Sequence, residues 1–463
     1  MIKILIALLI TVLYINVFQL PYAVWTFPLT QNWFTDNGLI LFQDVIYHHT
    51  PLPLFLLYFL SKIFGNGASM LQISSFLLST IFGLGVYLVG AQISQKIGKV
   101  SFVIFLFTFP AMFNNFNIEE MTAALLTLFS MYFFTHFLKA ESVLFLFYAG
   151  IFFGLGVMGK QSAVGIVFAF TIVLLWFSVK KKRTTSIKKA FLFLVVGGAV
   201  GVSPVLIYYF IHNALGDFLY WNILFNLTIY PQQTQPRAIS DGLFYGGWIM
   251  LSILPGFILL WKRELKRDVR LKLLLVVLAT LFLSPSLLPS FHAYKLLIFY
   301  PYAIIIWSSI WMYRRYKILL FFLVLGLITM LLPMKAFYFD YFPQNLFHRE
   351  YILDYGEDEL KVVEWIKKNT DKNEKIMNLG NHYITTLSER LPKNRYVYIF
   401  PWLVMPYDTS TKEILSDPPR IVVLDKQVLE DWPVLKEWGF VRFVKASYRK
   451  KTSYGTYEIY TAQ

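Results

Sequence analysis

PLPLFLLYFLSKIFGNG, residues 51–67, decides how the rest of the chain threads a membrane. Its apolar run, Pro51 to Phe64, lies between a proline pair and the breaker Gly65-Asn66-Gly67. A bilayer core of about 30 Å takes roughly 20 apolar residues of helix. The run is therefore too short to cross and suits a helix lying along the interface. Counted as a crossing, it inverts every loop that follows, and the charges in those loops choose between the two readings.

The chain is 57% hydrophobic and 19% aromatic, with a mean hydropathy of +0.56. Soluble domains hold about 45–50% apolar residues, so this is a membrane protein. Apolar segments of spanning character fall near 4–22, 68–92, 100–113, 121–138, 143–158, 163–179, 190–211, 243–261, 273–288, 296–312 and 318–334. The expected fold is thus a polytopic α-helical membrane protein of about 11 transmembrane helices. Segment 4–22 follows Lys3 but lacks a small-residue cleavage site, which predicts an uncleaved first helix.

With the amino terminus cytoplasmic, the inside loops collect nineteen bases, among them Lys96, Lys99, the KKKR run at 180–183 and the cluster from Lys262 to Lys272. The outside loops keep only Lys62, Lys160, Arg237 and Lys295. Positive-inside topology accounts for this asymmetry and for the net charge of +15. The bases come in short bursts between apolar runs rather than on one face with exposed aromatics, which removes nucleic acid as a partner. The expected location is the cell (plasma) membrane, multi-pass, with an outside loop at 23–67. With no cysteine in the chain, disulfides, thiolate zinc sites and a cysteine nucleophile are excluded.

After about residue 340 the chain turns mixed and polar, which predicts a membrane domain over 1–339 and an extracytoplasmic α/β domain over 340–463. EDELKVVEWIKKNT carries helical spacing, with acids at its start and lysines at its end. PRIVVLDK reads as a buried strand, and FVRFVKASY with GTYEIYTA as a closing hairpin. No glycine-rich phosphate loop, zinc spacing or nucleophile elbow occurs in it.

GLILFQDVIYHHTPLP, Gly38 to Pro53, is the loop densest in groups able to do chemistry. Asp44 is either a general base for an acceptor hydroxyl or amine or a solvated, turn-capping acid. Glu119 and Glu120, in NNFNIEEM, sit where one span ends outside and the next begins, a place the helix dipole favours for acids in any case. Their turn is placed to face Asp44. His48 and His49, being adjacent, diverge on a regular helix and do not chelate as an i, i+4 pair does. A divalent ion held by one of them with a carboxylate and His292 remains the alternative to a polar loop without metal. Lys160 and Lys295 end spans on the outside, either snorkelling or, with Arg237, neutralising a lipid-linked phosphate.

The order of these features resembles the C-type polyprenyl-phosphate-dependent glycosyltransferases, in the bacterial branch related to protein O-mannosyltransferases and the lipid A aminoarabinose transferase. GLILFQDVIYHHTPLPLFLLYFLSKIFG, NIEEMTAALL, FFGLGVMGKQSA, FHAYKLLIFYPYAIII and KVVEWIKKNTDKNEKIMNLGNHYITTLSERLP carry the resemblance across nearly the whole chain. It implies a transmembrane glycosyltransferase of the GT-C fold, using a polyprenyl-phosphate-sugar donor and an extracytoplasmic acceptor (protein, lipid or glycan) among membrane lipids. Asp44 is then the acceptor-side base, and Glu120 or its neighbour Glu119 the second acid. Lys295, His292, Lys160 and Arg237 bind the donor phosphate, and His48 and His49 line the substrate loop. One displacement at the anomeric carbon inverts configuration and requires no cofactor. The alternative from another class is a transporter or flippase of a lipid-linked sugar.

Overall fold

The computed structural model describes residues 23–24, 26–112, 118–181, 184–233, 239–261, 265–287, 293–312, 352–353, 355–398 and 400–462. Every expected span between residues 68 and 312 falls on a helix: α3 (Ala68–Ile93), α4 (Gln95–Met112), α5 (Ile118–Ala140), α6 (Val143–Gly159), α7 (Ile166–Lys181), α8 (Thr184–Ile211), α9 (Ile239–Trp261), α10 (Arg267–Leu283) and α11 (Tyr300–Met312). The expected first and last spans lie outside the described residues. Helices at Ala68–Ile93, Ile118–Ala140, Ile187–Ile211 and Arg267–Ser286 have the length and hydropathy to cross a bilayer unaided. The runs Val143–Gly159 and Gly246–Trp261 are apolar but shorter.

Two earlier helices precede the bundle, α1 (Phe27–Asp36) and α2 (Leu52–Phe64). At 13 residues, α2 reaches only about 20 Å at 1.5 Å per residue. Phe59, Ile63 and Phe64 are exposed on it, and Lys62 is tied to Asp36 of α1. Its length and exposed apolar side chains fit the interfacial helix expected from the sequence.

Packing inside the bundle follows the small residues. A Cβ added at Gly150 of α6 would lie 2.2 Å from Leu194 O of α8, and one at Gly154 2.2 Å from Gly198 O. Only glycine lets these two backbones approach so closely, as in other membrane helix pairs. By contrast, α11 is buried on all sides from Pro301 to Ile310, its Ser308 and Ser309 hydroxyls donating back to Ile304 O and Ile305 O, the pattern of a helix enclosed by its neighbours.

Two short strands, β1 (Ala23–Val24) and β2 (Ile352–Leu353), pair in parallel, and in the carboxy-terminal domain β3 (Met377–Leu379), β4 (Ile421–Asp425), β6 (Tyr457–Ala462) and β5 (Tyr448–Tyr454) form one sheet in the order β3-β4-β6-β5. β4 runs parallel to β3 and antiparallel to β6. Alternation along β4 sends Ile421 and Val423 to one face, against Val362, Val363 and Ile366 of α12 (Glu357–Asn369). Val422 and Leu424 go to the other face, into a buried cluster that also holds Phe42 and Tyr47 of the early loop, Leu54 of α2 and Tyr209 of α8. The domain and the loop thus share one core.

One expectation is corrected here. FVRFVKAS is not a strand of the closing hairpin but a helix, Gly439–Ser447. Its buried residues Phe440, Val441 and Val444 stand at helical spacing, whereas a strand would bury alternate positions. The hairpin is β5 with β6, turning at Gly455, which has φ +51°.

Candidate active site

The loop after α1 folds back on itself before it reaches the bundle. Ile40 N donates to Asp44 Oδ2 at 2.8 Å, and Asp44 N donates to Ile40 O at 2.8 Å. Phe42 takes a positive φ of 75° within this turn. That conformation is costly for an aromatic residue and is held by burial, the ring edging onto Tyr209 and Phe218 at 5.3 and 5.4 Å. Ile46 N then donates to Arg395 O of the carboxy-terminal domain at 3.0 Å. Asp44 is half-buried at the mouth of this turn, and among the described residues it makes no ion pair.

Beyond it, Tyr47 reaches the bundle and donates its hydroxyl to Glu119 Oε1. Glu119 and Glu120 open α5, where unpaired backbone N–H groups and the helix dipole favour negative charge. Both are buried. Being adjacent on a helix they point different ways: Glu119 takes Tyr47 and stands 3.9 Å from His49 Nε2, while Glu120 pairs with the buried Lys160. Lys160 gets there because α6 ends close against α5. A Cβ on Gly159 would lie 3.1 Å from Ala123 N.

His48 and His49 lie ring against ring, centroids 3.9 Å apart. Their backbone is clamped rather than their rings. Asn226 Nδ2 donates to His48 O at 2.6 Å, Asn222 Nδ2 to His49 O at 2.9 Å, and Gln161 Nε2 to Asn222 Oδ1 at 2.7 Å. Asn222 and Asn226 face the same way because they are four apart along Tyr220–Leu224, a π-helical turn, and the α-turn that follows it. Such turns recur at functional sites.

Burial holds both imidazoles well below the usual histidine range. For His48 the neighbouring His49, Lys160 and Lys295 add to the effect, and for His49 the two lysines do. His382, half-buried against Phe27 and Tyr398 where the outer domain meets α1, is pushed down to about 3 by desolvation. Between these lowered values and about 6.5 the unfolded chain binds more protons than the folded one, so stability rises with pH across that window. Each such histidine then contributes up to about 1.4 kcal/mol per pH unit. Thermal melts of the purified protein are therefore expected to fall between pH 7 and pH 5.5, and His382→Leu is expected to flatten that fall. A melting temperature independent of pH would show that these rings are not buried in the neutral form.

Of the residues singled out from sequence, the structure brings together Glu119, Glu120, Lys160, His48 and His49. Lys295 is buried and near enough for its charge to act on both histidines. Arg237 and His292 lie outside the described residues. Among the described residues no three histidine or acid side chains converge as a metal site requires. Tyr47, Gln161, Asn222, Asn226, Tyr230 and Trp402 escaped the sequence reading. The Asn222/Asn226 spacing in an apolar run was the available signal.

Residues 48–208 match the model of the dolichyl-phosphate-mannose-protein mannosyltransferase family. The matched range contains both histidines, both glutamates and Lys160, and leaves out Asp44 and Lys295. No curated protein sequence matches the chain. Among solved structures, ArnT from Cupriavidus metallidurans bound to undecaprenyl phosphate superposes with a TM-score of 0.59 at 10% identity, over 99% of this chain and 97% of that one. The apo state of the same protein gives 0.43 at 11% identity over the same shares. The chain therefore shares the fold of that ArnT structure, and residues 48–208 carry the sequence pattern of the dolichyl-phosphate-mannose-protein mannosyltransferase family.

Proposed function

We propose that the protein transfers a sugar from a polyprenyl-phosphate donor to an acceptor on the extracytoplasmic side of the cell membrane, with inversion. One observation carries this reading. Two buried carboxylates at a single helix start are held by Tyr47 and Lys160 beside a clamped histidine loop, in a fold shared with a protein crystallised with undecaprenyl phosphate. The charge asymmetry of the loops supports a cytoplasmic amino terminus, about eleven crossings and an outer carboxy-terminal domain.

In the reaction the acceptor oxygen or nitrogen attacks the anomeric carbon from the face opposite the phosphate. The new bond forms as the bond from that carbon to the phosphate oxygen breaks, and the electron pair leaves with the phosphate. Asp44 takes the acceptor proton. Its Oδ2 already accepts from Ile40 N, which leaves Oδ1 for that proton. Lys295 offsets the growing phosphate charge, assisted by Lys160, Arg237 and His292. Lys160 is already paired with Glu120, so its charge is shared between that acid and the phosphate. Glu120 and Glu119 fix the lysine and Tyr47 in place. The displacement as written needs no cofactor.

The test uses the purified chain in sealed vesicles with a radiolabelled polyprenyl-phosphate sugar in both leaflets. A transferase converts the donor to polyprenyl phosphate, and Glu120→Gln is expected to slow this about 10–100-fold, the equivalent of a charged hydrogen bond worth about 1.5–3 kcal/mol. Movement of intact donor between leaflets without cleavage would instead identify a flippase.

A further inference from the structure

Beside the carboxylates, the histidine loop, the helical turn after α8 and the outer domain meet in a cluster of rings. Trp402 of the outer domain stands edge-on to His48 at 6.3 Å and to Tyr230 at 5.8 Å, and His48 lies 5.3 Å from Tyr230. Phe400 stacks flat on Trp402 at 5.0 Å, and Trp432 meets it edge-on at 5.5 Å. The indole is thus fixed from behind by its own domain, while its other contacts come from the membrane domain.

Two polar atoms in this cluster, His48 Nδ1 and Trp402 Nε1, have no hydrogen-bond partner among the described residues, and neither has Thr50 Oγ1, two residues on from His48 in the same loop. His48 and Thr50 are more than nine-tenths buried. Native interiors leave few such groups unsatisfied, because each unmade bond costs about 1–3 kcal/mol. A purely apolar seal between loop and domain would be made as well by phenylalanine and valine, without the orphan atoms. Flat rings beside unsatisfied donors and acceptors suit one ligand chemistry in particular. A sugar ring offers C–H faces for aromatic surfaces and hydroxyls that both donate and accept. His48, kept neutral by burial and its cationic neighbours, presents one nitrogen as donor and the other as acceptor.

We propose that Trp402, Tyr230 and His48 form the subsite that recognises the sugar ring of the lipid-linked donor, an inference that rests on the transferase reading above. The choice of donor over acceptor follows from position. Gln161, the residue after Lys160, donates to His48 O at 3.3 Å, so a phosphate held by Lys160 lies close to the histidine loop, and in the donor the sugar is joined directly to that phosphate. An acceptor has no such tether. Trp402 then makes the outer domain a part of donor selection.

The experiment measures equilibrium binding of the full-length protein in nanodiscs to undecaprenyl-phosphoryl mannose, undecaprenyl-phosphoryl aminoarabinose and bare undecaprenyl phosphate. The wild type is expected to hold at least one glycosylated lipid about tenfold more tightly than the bare lipid. Trp402→Ala is expected to erase that preference without changing affinity for the bare lipid, which also reports an intact fold. Trp402→Phe keeps a ring but loses the N–H, and is expected to retain only part of the preference. A wild type that binds all three lipids alike overturns the proposal, as does a preference that survives either substitution in full or a parallel loss of bare-lipid binding. Preference without turnover upholds the subsite and sinks the transferase reading. Turnover without preference does the reverse.

Discussion

Asparagine in place of Asp44 is expected to lower turnover by about 10²–10⁴-fold, the range a positioned general base contributes, while the protein stays folded. The reason lies in the turn. Asp44 accepts from Ile40 N through Oδ2, and an asparagine carbonyl oxygen can accept the same bond in the same place. The buried Phe42 and the link from Ile46 to Arg395 depend on that turn, so the isosteric change leaves the loop seated. What disappears is the basic lone pair that would take the acceptor proton. Alanine would remove both the cap and the base, so its effect would mix a stability loss of about 1 kcal/mol with the catalytic one. Single-turnover release of labelled sugar, with thermal melts alongside, checks this. Full turnover in the Asp44→Asn enzyme would move the base elsewhere, with Glu119 and its Tyr47 bond the next candidate.

Much of this fold is legible in the sequence because a membrane imposes local rules. Apolar length and loop charge are properties of contiguous residues, and every expected segment from 68 to 312 became a helix. FVRFVKAS misled because a short run with valine and phenylalanine fits either strand or helix, and the pattern at Phe440, Val441 and Val444 distinguishes them only by a single position. In the site, Glu119, Glu120, Lys160 and the histidines stood out as rare polar groups in an apolar chain, and they do cluster. Their pairing was not legible. The loop does meet the glutamates, yet it does so through Tyr47, while Asp44 bends back to Ile40. Asn226 sits in a triplet that resembles a glycosylation site, and its amide is instead committed to His48 O. Trp402 was invisible, since nothing local shows that a tryptophan of the outer domain will stand over a histidine of the first loop.

Methionine in place of Lys160 is expected to destabilise the protein by about 3–5 kcal/mol, because it strands Glu120 as a buried, uncompensated charge. It should also reduce turnover by at least about 10²-fold, the scale of losing one group that meets developing charge. The two effects have different origins, and a second substitution separates them. Adding Glu120→Gln to Lys160→Met removes the stranded charge, so most of the stability is expected to return, a coupling that a double-mutant cycle reads directly. Activity is expected to stay lost, since the cation beside the donor phosphate is still missing. If the ion pair only braced α5 against α6, activity would return together with stability in the double variant. Melting curves and donor turnover for the wild type, the two single variants and the double variant therefore decide whether this buried lysine holds two helices together or also meets the departing phosphate.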